Sequence, residues 1–230
     1  MRKHKLIVIE GTDGSGKATQ TKMIRERLEA EGLKVETRDF PNYKNFYGKM
    51  IGKFLSDPVY DWVHVHPLIA STFYALNRDE DKEEIEKLIR SNDIVVFDRY
   101  VSANQIHQGG KIKDIGKRRE FLKELELYEY DKLGLPKPNL VFFLDLSPAL
   151  SQKLIEKRDE ETKRSYLNGK KDVHETNDEF KKNSYEAAVW LAKMEPNWIR
   201  INCEKDGDIK SVEEIHEEIY SKLTAFLKTH

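Results

Sequence analysis

The apolar run Leu6-Ile7-Val8-Ile9 leads through Glu10 into Gly11-Thr12-Asp13-Gly14-Ser15-Gly16-Lys17-Ala18-Thr19, and a helical pattern follows at once. A short β-branched run bounded by glycines reads as a buried strand. Lys17 to Ala30 then reads as a helix that stops near Gly32. The outer glycines and the lysine have the spacing G-x-x-x-x-G-K. In such a loop the backbone N–H groups turn inward around phosphate oxygens, the helix adds its positive end, and the ammonium reaches the β- and γ-phosphates. A glycine-rich turn that binds nothing is the plain alternative, and the strand before and the helix after count against it. One position departs from the pattern. Ala18 stands where Ser or Thr normally meets Mg²⁺, while Thr19, one residue later, offers its hydroxyl to phosphate.

Ile94-Val95-Val96-Phe97 and Leu140-Val141-Phe142-Phe143-Leu144 are further near-continuous apolar runs, and Lys34 to Arg38 and Trp198 to Asn202 are weaker ones. Continuous runs suit strands buried on both faces of a parallel sheet. The segments between them are long enough for crossover helices, which predicts an α/β chain with a five-stranded parallel sheet flanked by helices. Pro67 to Arg90 reads as one long helix. Pro136 and Pro138 end another before the fourth strand. The last helix is expected from Asp208 or Ser211, with Val212, Ile215, Ile219, Leu223 and Phe226 on its buried face. No Pro/Gly/Ser-rich linker divides the sequence, so residues 1–230 read as one domain. The highly charged stretch at about 157–175 reads as a mobile lid.

Forty basic residues against forty-one acidic ones leave a net charge of -1. That balance gives no reason to expect a nucleic-acid polymer or an anionic membrane as partner. Anion binding must come from local arrangement. With 38% hydrophobic and 35% charged residues, the composition is that of a soluble globular chain. Cys203 is the only cysteine, which fits a reducing, cytoplasmic setting. The basic start, Arg2 to Lys5, precedes too short an apolar run for a signal peptide or a membrane span.

Four segments, in order and at similar distances, resemble the thymidylate kinases among the P-loop nucleoside monophosphate kinases: Ile9 to Lys17, Phe40-Pro41-Asn42-Tyr43, Phe73 to Arg78, and Asp98-Arg99-Tyr100. The resemblance spans almost the whole chain. It implies a P-loop kinase fold, ATP and Mg²⁺ as cofactors, dTMP as acceptor, and a homodimer paired through helices beside the sheet.

Some of these residues carry chemistry on their own terms. Asp98 and Arg99 end a central strand, at the edge where open α/β sheets bind ligands. Arg99 can fork onto phosphates, and Asp98 can hold hydrated Mg²⁺ or orient Arg99; a structural ion pair is the other reading. By resemblance Arg99 bridges donor and acceptor phosphates. A carboxylate such as Asp13 repels ATP phosphates at close range, and the resemblance gives it the acceptor's 3'-hydroxyl and a place near the metal. Tyr74 and Arg78, four apart on a helix, share a face. The resemblance assigns them thymine stacking and its O4, with core packing as the alternative for Tyr74. Phe40, Pro41 and Tyr43 are expected as acceptor-site walls, with simple packing as the equal alternative for Phe40 and Tyr43; Asn104 is expected at the base, and Tyr166 on the acceptor from the lid. His107 stands where some relatives carry a tyrosine that crowds a ribose 2'-hydroxyl; a lone histidine is otherwise most often structural. His64 and His66 lack the clustered partners a zinc site requires.

One branch of the family places an arginine in the loop, where this chain has Gly14. The other branch, which this chain resembles, supplies that charge from the lid. Arg158, Lys163, Arg164, Lys170 and Lys171 are the candidates, Arg158 and Arg164 being favoured as catalytic. Two rivals stay open: a related kinase acting on dUMP, UMP or a deoxynucleoside, and a nucleotide-binding regulator without catalysis, for which Ala18 is the only support.

Overall fold

The computed structural model describes residues 4–161 and 172–229, with side chains for 4–156 and 172–229. Five parallel strands form one sheet: β1 (Lys5–Glu10), β2 (Val35–Asp39), β3 (Ile94–Asp98), β4 (Leu140–Asp145) and β5 (Trp198–Asn202), in the order β2-β3-β1-β4-β5. Helices α1 (Lys17–Ala30), α2 (Phe46–Ser56), α3 (Pro67–Glu80), α4 (Lys82–Ser91), α5 (Val101–Gly110), α6 (Ile115–Glu126), α7 (Pro148–Glu161), α8 (Asp178–Met194) and α9 (Val212–Thr229) connect and cover them.

The three strong apolar runs are the three central strands, and alternation within them builds two cores. Leu6, Val8, Val95, Phe97, Val141 and Phe143 face one layer, with residues of α5, α6 and α8. Ile7, Ile9, Val96, Phe142 and Leu144 face the other, against Ile24 and Leu28 of α1 and Ile215, Ile219 and Leu223 of α9. A strand covered on both sides needs apolar residues at every position. The edge strands β2 and β5 are only partly buried, which is why their patterns are weaker.

The expected termini hold for α1. It ends in a Schellman motif: Gly32, at φ +84, and Leu33 donate their N–H groups to Glu29 and Leu28 at 2.9 and 3.1 Å, satisfying carbonyls the helix leaves open. One expectation is corrected and another is decided between its two alternatives. The helix read as continuous from Pro67 to Arg90 is broken at Asp81. Its N–H bonds Arg78 only three residues back, and its carboxylate is drawn aside to Asn42 at 2.7 Å and Arg38 at 3.2 Å. Of the two starts expected for the last helix, Asp208 belongs instead to a small hairpin of β6 (Glu204–Lys205) and β7 (Asp208–Ile209), and the helix begins at Val212, directly after Ser211. Ser211 caps it: Ser211 Oγ accepts the Glu214 N–H at 3.1 Å, and the Glu214 carboxylate accepts the Ser211 N–H at 2.9 Å, a reciprocal capping box. Ile215, Ile219 and Leu223 are buried as expected and Phe226 is half-buried, but Val212, in the first turn, is 42% exposed.

Candidate active site

After β1 the chain runs to one side of the sheet through β2 and β3, then crosses to the other through β4 and β5. That reversal opens a crevice at the carboxyl end of β1, the usual ligand site of an open α/β sheet. A cavity of about 690 Å³ lies there, with the Gly14 to Thr19 loop at its centre. Phe40, Tyr74 and Arg78 line the cavity from the β2 side of the sheet, and Leu146, Cys203 and Ile215 from the β4–β5 side.

Gly14 and Gly16 adopt φ +77 and +86, and Gly16 caps the N-terminus of α1. Lys17 is buried and donates from Nζ to the Thr12 carbonyl at 2.9 Å. Burial, helped by Arg99, pushes its ammonium below the ordinary value. The hydroxyls of Thr12, Ser15 and Thr21 are buried without a partner. Unpaired polar groups at such a turn are costly unless a ligand completes them, and phosphate oxygens are suitable acceptors.

Arg99 follows β3 at φ +67, a conformation rare outside glycine. It turns the guanidinium back over the loop, 14% exposed. Nη2 donates to Asp13 Oδ1 at 2.5 Å, and Nη1 reaches His107 Nε2 at 2.8 Å and Glu10 Oε1 at 3.4 Å. Glu10 is fully buried and also accepts from Ser102 Oγ at 2.7 Å and the Gly11 N–H at 3.0 Å. Burial pushes its carboxyl up, against Arg99 and Lys17. Asp13 keeps 28% of its side chain open to the cleft although set deep among protein atoms. Burial alone would raise its pKa, but Arg99 and Lys17 hold it well below the usual carboxylate range. Burial pushes the Asp98 carboxyl up, despite Lys17 and Arg99.

Arg78 is buried in a bidentate pair with Glu129, at 2.8 and 2.7 Å, while Nη1 donates to the Tyr100 carbonyl at 3.3 Å. Asn104 spends its amide nitrogen on Glu129 at 2.8 Å and Ser71 at 3.2 Å. Both residues still line the cavity. Tyr74 also lines it; its hydroxyl accepts from Trp62 Nε1 at 3.2 Å, and burial raises its pKa. Phe40 packs into the core against Phe97 and Tyr100, with Pro41 and Tyr43 on the cavity wall.

Several residues escaped the sequence reading. Glu129 lies on a π-helical turn, Leu127–Lys132, a local irregularity without periodic signature. Gln108 has a buried, unpartnered Oε1 and lines the cavity. Of the stretch at about 157–175, residues 172–175 fold inward: Asp172, His174 and Glu175 are buried on the cavity wall. The side chain of Arg158, and Lys163, Arg164, Tyr166, Lys170 and Lys171, lie outside the described residues.

Among the described residues no group of three His, Cys, Asp or Glu side chains could hold a metal ion. With Ala18 lacking a hydroxyl, a Mg²⁺ ion here would take most of its ligands from phosphate and water, with carboxylates Asp98 and Asp13 close by. The donor set fits a metal that arrives with a nucleotide.

A family model described as Thymidylate kinase matches residues 9–219. The chain belongs to the thymidylate kinase family. It is similar to the thymidylate kinase of Plasmodium falciparum, 27% identical over 226 residues that cover 97% of this chain and 91% of that one. The thymidylate kinase of Caldicellulosiruptor saccharolyticus is 29% identical over 228 residues, 98% of each chain. The human thymidylate kinase is 32% identical over 151 residues, 64% of each chain. Among the described residues no helix is long and apolar enough to cross a membrane.

Proposed function

We propose that the chain transfers the γ-phosphoryl group of ATP to the 5'-phosphate of dTMP, giving ADP and dTDP on the route to dTTP. An oxygen of the acceptor phosphate attacks the γ-phosphorus in line, and the bond to the β,γ-bridging oxygen breaks. The observation that carries this reading is the placement of Arg99. Arg99 donates to Asp13 of the phosphate loop and lines the same cavity as Tyr74 and Arg78.

Each part has a physical task. The N–H groups of the loop and the N-terminus of α1 receive the donor phosphates, and Lys17 leaves the Thr12 carbonyl for them. Arg99 spans donor and acceptor phosphates and neutralises charge that develops on the transferred group. Asp13 anchors Arg99 and is within the cleft to accept from the acceptor's sugar hydroxyl. In this reading Tyr74 offers a ring face to the base and Arg78, held by Glu129, donates to its carbonyl edge; both side chains line the cavity. Mg²⁺, when bound, would offset phosphate charge, with Asp98 holding its water shell.

Release of ADP, measured with Mg-ATP and dTMP, dUMP, UMP or thymidine in turn, tests this. The fastest turnover is expected with dTMP. Loss of the thymine methyl should cost about 1–3 kcal/mol of discrimination. Thymidine has no 5'-phosphate for Arg99 and should support no transfer. Thymidine turnover above that of dTMP, or no ADP release with any acceptor, would overturn the proposal.

A further inference from the structure

Two atoms hold Nη1 of Arg99: His107 Nε2 at 2.8 Å and, more distantly, Glu10 Oε1 at 3.4 Å. Glu10 is already engaged by Ser102 and the Gly11 N–H. A guanidinium can only donate, so Nε2 must be the bare nitrogen and the imidazole proton sits on Nδ1. Nδ1 lies 3.2 Å from Ser184 Oγ on α8 and donates to it. The tautomer is thus assigned by its two partners.

The fold brings that serine close by removing a side chain. At Gly110 an added Cβ would lie 2.8 Å from the Asn183 carbonyl oxygen and 3.0 Å from the Ser184 nitrogen. Only glycine lets α5 and α8 approach so closely. The His107 ring also stacks on Phe180, with centroids 5.8 Å apart and planes 10° from parallel. His174 lies beyond, 4.2 Å from Phe180. The charged groups facing the ring are Arg99, Asp13 and Lys17, with His174 beside it. Burial and Arg99 hold the imidazole well below its ordinary pKa, so the acceptor nitrogen stays free of a proton.

We propose that His107, oriented by Ser184, is a positioning residue that holds Arg99 across Asp13 in the geometry needed for transfer. The proposal rests on the reading of Arg99 as the group that spans the two phosphates. Asp13 pulls on one end of the fork and His107 on the other, so the guanidinium is fixed at both amino groups before substrate arrives. Such preorganisation acts mainly on turnover.

Two substitutions separate holding from packing. His107→Phe keeps a ring on Phe180 and removes the acceptor, whereas His107→Gln keeps an acceptor oxygen and removes the ring. Steady-state rates with varied dTMP at saturating Mg-ATP, on the full chain, give kcat and KM for each. His107→Phe is expected to lower kcat about tenfold with a smaller change in KM, and His107→Gln to stay within about threefold of the parent. Ser184→Ala, which leaves the ring in place, should lower kcat by about threefold through loss of the tautomer's partner. Parent-like turnover in His107→Phe, or an equal loss in His107→Gln, would overturn the proposal in favour of packing. Should His107→Phe fail to fold, Ser184→Ala decides: unchanged kcat at parental Tm overturns it. If the parent enzyme itself releases no ADP with dTMP, the role of Arg99 falls first and this inference with it.

Discussion

Gly14 carries two constraints that a sequence motif does not state. Its φ is +77, and a Cβ there would lie 2.5 Å from the Ser151 carbonyl oxygen and 2.7 Å from Ile155 Cγ1. The N-terminal half of α7 therefore closes over the loop, and a side chain at this position has no room. Gly14→Ala should destabilise the chain by about 1–3 kcal/mol through backbone strain and clash. Urea unfolding measures it, and an unchanged midpoint would show that α7 yields. Gly16 has the same positive φ but open space around it, so Gly16→Ala tests the strain alone. Arg99 shows the opposite case: a residue in the left-handed region without glycine's freedom, held by Asp13, His107 and Glu10. Strain of this kind persists where surrounding contacts over-determine the conformation.

At the scale of elements, the π-helical turn after α6 places Glu129 against Arg78 of α3 and Asn104 of α5. One carboxylate thereby ties three elements together behind Arg78 and Asn104, which line the cavity. Burial pushes Glu129 up, and Arg78 and Asn104 pull the other way. Glu129→Gln removes one partner of a buried pair and leaves the Arg78 charge uncompensated, a loss of about 3–5 kcal/mol. A urea midpoint shift checks it, and KM for dTMP should rise as Arg78 loses its orientation. An unchanged midpoint would mean that Arg78 finds another partner. The sequence offered Arg78 and Asn104 as groups for the base. It could not show that each spends donors on Glu129, because only the tertiary fold brings the three positions together.

For the molecule as a whole, buried neutral histidines make stability depend on pH. Burial, with Lys111 and Arg99, pushes His174 down to about 3. A depressed pKa means that the unfolded chain binds the proton first. The stabilising contribution is complete above the unfolded value near 6.5 and is lost as pH falls toward 3. At pH 5 the difference for His174 is on the order of 2 kcal/mol. Urea unfolding at pH 7 and pH 5 should show a smaller fall between the two in His174→Gln than in the parent. Equal falls would sink the idea. The central strands, α1 and the phosphate loop were legible in the linear chain because each depends on local rules: continuous apolar runs, a Schellman stop at Gly32, and glycine spacing before a lysine. The break at Asp81, the Glu129 clamp and the inward fold of residues 172–175 were not. Each is decided by partners distant in sequence, such as Asn42 for Asp81 and Leu55 for Val173. Periodicity reports which face of an element is apolar. Only the assembled chain decides which polar side chains meet, because that depends on how closely the elements approach, as Gly110 lets α5 approach α8.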